Sequence, residues 1–500
     1  MKFRVVEGFA RPESLRDESL VILRKDNWDD FGFKTLFQAE LLTAGGELIE
    51  LGPVKILKAG QTSGFTPLSG ALLDALDSTY CSLGQDVEYY EKLASLGKAE
   101  RAEFLKSIRD AATDSEIASA FSSEEGWQVS LLRFGQAEHT LANGRSVVEG
   151  SSAPNGVVSF AHHSDGHDGE IRFDYDDSGP LPGRGKVLIG YNGVGKTRLL
   201  ADVAREISRV GQDITHRTAS GSSTFSTVVA VSYSAFDTFE LPPTIGREYK
   251  AFTDDEGSSS TTYFGYTYCG LRRLEDGKAS SQLKSIAELD VELTSAFWTA
   301  CSRDTTAFKE ALADLDRDPS FGRAGLNLTA WFEDGHLPAE KLGKLSAGQK
   351  IVINIVVQLA AHLRSRSLIL IDEPETHLHP SLLAALLRAT QRLLEGFDSF
   401  AIIATHSPVV LQEVPAKDVR VVERFGTTVR TVDPQLETFG AGLGELTHEA
   451  FGLDNTVSDY RAVIRALAAD MKLDALEALF PLGLSSQARA LALRTQAASR

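Results

Sequence analysis

The sequence predicts an α/β protein: a mixed, largely parallel sheet between helical layers, preceded by an N-terminal α+β domain and followed by a short helical tail. Three observations carry that expectation. From Lys186 onward, short apolar runs alternate with stretches of helical periodicity, the pattern of strands joined by crossover helices. The string G-x-x-x-x-G-K-T at residues 190–197 stands between one such run, "VLI", and an amphipathic stretch, "RLLADVAREI". Finally, "LILIDEP" at residues 368–374 ends an apolar run in two acids, at the strand end where open α/β sheets keep their sites.

Five hundred residues suggest two or three domains, and 42% hydrophobic with 24% charged residues is ordinary globular composition. The net charge of −18 argues against a surface dominated by phosphate contacts. It leaves room for a local basic groove, so DNA stays open as a partner. Cys81, Cys269 and Cys301 are too few and too scattered for a disulfide framework or a zinc site. The first residues lack the apolar core of an export signal. The longest near-apolar stretch, residues 351–363, carries Asn354, Gln358 and His362. A cytoplasmic protein with no membrane partner is therefore expected.

Residues 1–125 read as a domain of their own. In it "FKTLFQAELLTAGGELIELGPVKIL" makes two strands about the turn Ala44-Gly45-Gly46, and "QDVEYYEKLASLGKAERAEFLKSIRDAA" makes an amphipathic helical stretch. Residues 126–455 form the α/β domain, opening with strand-like runs "WQVSLLRFG", "NGVVSFAHH" and "GEIRFDY" and carrying a helical insertion over about 240–345. "DDEGSSSTTYF" at residues 254–264 reads as a loop, and "VRVVERFGTTVRTV" as a hairpin. Residues 456–500 are the tail, with Tyr460, Val463, Ile464, Leu467 and Met471 on one helical face. No fixed-period repeat and no sustained heptad is present.

The chemistry sits in the motifs. Glycines at 190, 193 and 195 let a backbone wrap a phosphate with its N–H groups turned inward, and the following helix adds partial positive charge. Lys196 supplies a point charge and is expected to face ligand rather than core; the Thr197 hydroxyl suits Mg²⁺. Such a site needs a second strand ending in an acid near the same metal, which Asp372 provides. Glu373, one residue on, is placed to polarise a water.

In order along the chain, "GYNGVGKT", "LSAGQK" at 345–350, "LILIDEP" and "IIATHSP" at 402–408 resemble the motifs of ABC-class ATPases. The resemblance covers roughly residues 128–453. It implies that Gly190, Asn192, Gly193, Val194, Gly195, Lys196, Thr197 and Arg198 hold ATP, and that Thr197 and Asp372 hold Mg²⁺. It also implies that Glu373, His406 and Lys196 are catalytic. Ser346, Gly348 and Gln349 would complete the site of the other subunit in a homodimer or an oligomer of dimers. "DEPETHLHP" is similar to the form in RecF-like and OLD-like ATPases, which makes His377 and His379 loop and interface residues rather than metal ligands. Within that group the chain looks like the compact ATPases of phage-defence systems, such as the Septu type. It would then be a sensor or scaffold controlling an effector nuclease encoded by a neighbouring gene. A RecF-like DNA-repair ATPase is the alternative, and an ATP-hydrolysing transporter subunit a third. No glutamine follows "STVVAVSYSAFD" where the family has one, so Ser232, Ser234 or Asp237 must substitute. "HHSDGHDGE" at 162–170 reads as a hairpin loop ahead of a metal cluster, and Tyr175 as a strand residue ahead of an adenine platform.

Overall fold

The strand order of one eight-stranded sheet places everything that follows: Thr262–Tyr263, Tyr266–Gly270, Val228–Ser232, Leu368–Asp372, Phe400–Thr405, Gly185–Ile189, Val419–Phe425, Thr428–Val432. All neighbours pair in parallel except at the two edges, where the outermost strands are antiparallel. The structure is a computed structural model. It describes residues 1–6, 19–68, 72–150, 158–162, 168–208, 225–234, 239, 262–263, 265–275, 278–303, 306–343, 345–451 and 459–498.

The central strands are mostly apolar, and buried along nearly their whole length, because both faces of the sheet are covered. Val187, Ile189, Val231, Ile369, Ile371 and Ile403 face a helical layer containing Ile286–Ser302, Ala347–His362 and Pro380–Gly396. Leu188, Val228, Leu368, Leu370 and Ile402 face the helix Lys196–Ser208 and the strand pair Val158–His162 with Ile171–Tyr175. Successive residues point to opposite faces, so one "LILID" run feeds two cores at once.

A second sheet organises the N-terminal part, in the order Leu72–Leu73, Lys2–Val6, Leu20–Lys25, Leu36–Leu42, Leu48–Lys58, Tyr80–Gly84. The turn at residues 43–46 closes as its sequence suggests, with Gly46 at φ 85° and the Thr43 N–H donating to the Glu47 carbonyl at 2.8 Å. Helices cover one face through Tyr89, Tyr90, Leu93 and Phe104. The expected single helical stretch is two helices, Val87–Ser95 and Lys98–Ser107, interrupted at Leu96-Gly97.

Other expectations are corrected. "WQVSLLRFG" is a buried π-helical turn, Trp127–Leu131, leading into the helix Gly135–Glu149. A short apolar run fits either period, and only its neighbours choose. That helix packs on Val87–Ser95. The insertion over 240–345 is not all helical: it includes the sheet strand Tyr266–Gly270 and the hairpin Arg272–Glu275 with Lys278–Leu283. Residues 254–261 of the low-complexity stretch lie outside the described residues. In the tail, Ile464 is buried against Ala468, Leu476, Ala488 and Ala492, whereas Tyr460 and Val463 are exposed. Among the described residues no helix is long and apolar enough to cross a membrane.

Beside the N-terminal sheet lies a buried charge network. Asp30 is fully buried and receives Lys55 Nζ at 2.8 Å and Arg133 Nη1 at 2.7 Å. Trp28 Nε1 and Ser130 Oγ also donate to it, each at 2.7 Å. Burial alone would raise its pKa; the two cations overcome that and hold it below the usual carboxylate range. Asp30→Ala leaves Lys55 buried without its counter-charge. It should destabilise the fold by about 3–5 kcal/mol, read by urea denaturation. A loss under about 1 kcal/mol would show that the network does not support the domain.

Candidate functional site

Because the parallel strands share a direction, their carboxyl ends meet on one sheet edge, and register decides which residues adjoin there. Ile189, the last strand residue before the phosphate loop, pairs with Thr405, whose successor is His406. Asp372 pairs with Ala404 on one side and Ser232 on the other. The loop, the acid pair and the histidine therefore sit side by side.

The glycines of the loop do separate jobs. A Cβ on Gly190 would lie 2.4 Å from the Val422 carbonyl oxygen, so only glycine lets the loop pass that strand. Gly193 and Gly195 adopt φ of 81° and 108°, where side chains are strained. Arg424, from the strand beside the loop, donates from Nη1 to the Gly193 carbonyl at 3.1 Å. Val194 tucks its side chain into the core, leaving only its backbone toward a ligand, while Asn192 and Arg198 are exposed.

Lys196 opens the helix Lys196–Ser208 and, like side chains at helix starts, leans back toward the N-terminus. Its Nζ donates to the carbonyls of Gly190 at 2.9 Å and Tyr191 at 3.0 Å, and the residue is only 4% exposed. This corrects the expectation of an ammonium held apart from the core. Burial pulls its pKa down, against Glu373, Asp372 and Glu375, which raise it.

Thr197 Oγ1 donates to both Asp372 oxygens, at 3.0 and 2.9 Å. A hydroxyl and a carboxylate in contact are hard oxygen donors of the kind Mg²⁺ takes alongside phosphate oxygens, so the residues present fit that ion. The backbone then turns sharply: Glu373 stands at φ 47°, its N–H bonded to the Ala404 carbonyl at 2.8 Å, and His377 at φ 66°. Left-handed non-glycine residues are strained, and here they fold the chain back over the sheet edge.

That fold-back delivers a residue the sequence reading did not single out. Glu375 Oε1 accepts from Thr405 Oγ1 at 2.7 Å and from the His406 N–H at 2.7 Å, and lies 3.0 Å from His406 Nδ1. Glu373 Oε1 is 3.7 Å from the same nitrogen. The contact with Glu375 raises the His406 pKa, against partial burial. Burial would raise the pKa of Glu375, but the bonds from His406 and Thr405 hold it below the usual range. The third acid of "DEPE" was the available signal. Only the left-handed turn shows that it points at the histidine.

In "LSAGQK", Ser346 caps the helix Ala347–His362 through a capping box: its Oγ accepts from Gln349 N at 3.2 Å, and its own N–H donates to Gln349 Oε1 at 3.0 Å. Gln349 Nε2 also donates to the Ser320 carbonyl at 3.0 Å and the residue is buried, so its side chain is held by its own chain. Gly348 lies against the fold-back: a Cβ there would come within 3.1 Å of the His377 carbonyl oxygen. Ser346 and Ala347 remain exposed.

His379 caps the helix Pro380–Gly396, its side chain accepting from Ser381 N, and His377 is exposed. Of "HHSDGHDGE", His162 pairs with Glu206, and residues 163–167 lie outside the described residues. Among the described residues no group of three or more His, Cys, Asp or Glu could hold a metal ion. Tyr175 is buried, its hydroxyl donating to the Ala401 carbonyl at 3.2 Å. Ser232 is buried at its strand end beside Asp372, Ser234 follows it, and Asp237 lies outside the described residues.

A phosphate loop, an acid strand and a histidine on one edge of a parallel sheet, with a capped helix alongside, are the arrangement of a P-loop nucleotide-binding protein. A family model described as "AAA domain, putative AbiEii toxin, Type IV TA system" matches residues 212–412, the span that holds the signature, Asp372, Glu373 and His406. The chain belongs to the family of protein ea59 of Escherichia phage lambda, to which it is 30% identical over 504 residues, covering 93% of this chain and 92% of that protein. A crystal structure described as "the SmcHead bound to the C-winged helix domain of ScpA" covers 53% of this chain and 93% of its own, with 11% identity and a TM-score of 0.24, a likeness too slight to carry an argument.

Proposed function

We propose that this chain binds and hydrolyses ATP with Mg²⁺ at composite sites between two copies of itself, and that the cycle controls an effector nuclease in the conflict between phages and their hosts. The observation that carries the first part is the Thr197–Asp372 contact, which joins the phosphate loop to the acid strand with Glu373 and His406 one residue beyond each strand end. The loop N–H groups and Lys196 hold the phosphates. Thr197 and Asp372 hold the metal, which when bound neutralises charge on the phosphate oxygens. Glu373 takes the proton of the attacking water, and His406 meets the γ-phosphate. The exposed N-terminus of the sixteen-residue helix after Ser346 supports a role toward the partner's nucleotide.

The second part is supported by the company the chain keeps: a relative carried by a phage and a family model whose description names a toxin system. The motif order resembles the compact Septu-type defence ATPases, which points to a cytoplasmic regulator acting on a separate nuclease. The adjacent open reading frame tests this. A nuclease that co-purifies with the ATPase is the expected result; ATPase activity stimulated by DNA, with no such neighbour, would move the reading to DNA repair.

Lys196→Ala tests the nucleotide site itself. Removing a charged partner of the phosphates should weaken ATP binding by at least about 30-fold in a fluorescent-nucleotide titration. An affinity within about twofold of the parent would refute the phosphate-loop reading.

A further inference from the structure

We propose that Glu375 is the positioning residue that holds His406 as an imidazolium, one ring nitrogen at ion-pair distance from the Glu375 carboxylate and the other presented to the γ-phosphate; this deepens the ATP-hydrolysis reading above and depends on it. Two neutral donors, Thr405 Oγ1 and the His406 backbone N–H, converge on Glu375 Oε1 at 2.7 Å each. A glutamine carbonyl would serve them equally. What the carboxylate adds is charge, held at a cost, because Glu375 is mostly buried and, among the described residues, its Oε2 finds no hydrogen-bond partner. The His406 ring faces this charge, with Nδ1 3.0 Å from Oε1 at ion-pair distance, and Lys196 is the other cation that acts on it.

Tautomer logic makes the pairing consequential. A neutral imidazole has one N–H and one bare nitrogen. If Nδ1–H faces Glu375, a neutral ring turns a bare Nε2 toward phosphate oxygen, acceptor against acceptor. Only the protonated ring donates at both ends. The charged groups facing His406 are Glu375 and Glu373, which favour its protonated form, and Lys196, which opposes it. Glu375 is the nearer carboxylate, at 3.0 Å against 3.7 Å for Glu373.

Glu375→Gln keeps the shape and the acceptor for Thr405 while removing the charge. The measurement is kcat for ATP against pH, with ADP affinity as a control that does not involve the γ-phosphate. The parent should show an alkaline limb where His406 loses its proton. In Glu375→Gln that limb should move to lower pH by at least about one unit, so that activity is roughly tenfold down above it and recovers on acidification. Glu375→Asp should move it back toward the parent. His406→Gln should remove the limb, and adding Glu375→Gln to it should change nothing further. ADP affinity should stay within about twofold throughout. A fall in kcat by the same factor at every pH, or an unmoved limb, would overturn the proposal and leave Glu375 a turn-former. A parent protein that binds neither ADP nor ATP would instead refute the ATPase reading and this inference with it.

Discussion

Glu373→Gln is expected to bind ATP normally, to lose turnover by about 10²–10⁴-fold, and to accumulate as a closed ATP-bound dimer. The substitution keeps size and hydrogen-bonding capacity and removes only the ability to take a proton. The strained backbone at φ 47° is anchored by the residue's own N–H on the Ala404 carbonyl, which the side-chain change does not touch. Asp372 and Thr197, proposed to hold the metal, keep their mutual contacts. Single-turnover hydrolysis, with size-exclusion chromatography in ATP, separates the steps. Turnover near that of the parent would remove Glu373 from the base role and shift attention to Glu375 and His406, the other titratable pair on the same edge.

The second large effect concerns where the signature acts. Lys196→Ala alone should be inactive, and so should Ser346→Arg, which sets a bulky cation over the exposed N-terminus of the signature helix. Mixed one to one with subunit exchange, about half the dimers become heterodimers. Each of these has one site with both defects and one intact site, built from the sound loop of one chain and the sound signature of the other. ATPase activity should recover to roughly a quarter of the parent's if the sites fire independently. Ser346 should tolerate the change structurally, because the capping bond it loses is worth about 1 kcal/mol. With exchange and heterodimer ATP binding verified, no recovery would exclude independent composite sites and point to a signature acting within its own chain or to obligatory coupling.

Much of this site was legible in the sequence because its parts are local. "GYNGVGKT" carries its own geometry, since glycine alone tolerates the left-handed backbone at Gly193 and Gly195 and the 2.4 Å approach at Gly190. "LILID" announces a doubly covered strand, and "SAGQ" announces a capped helix, because periodicity and capping are properties of a few neighbouring residues. Only the tertiary structure decided the rest. Whether "WQVSLLRFG" is strand or helical turn depended on what Trp127 and Leu131 pack against, which a short apolar run cannot specify. The Gln349 amide meets a carbonyl 29 residues away, at Ser320, which its own stretch of sequence does not announce. Glu375 acquired a role through Thr405 and His406, 30 and 31 residues distant, once parallel register set their strand beside Asp372. Backbone conformations and caps are short-range and travel with the sequence. Which carboxylate meets which imidazole is set by strand order and register, and those are chosen by the packing of the whole sheet.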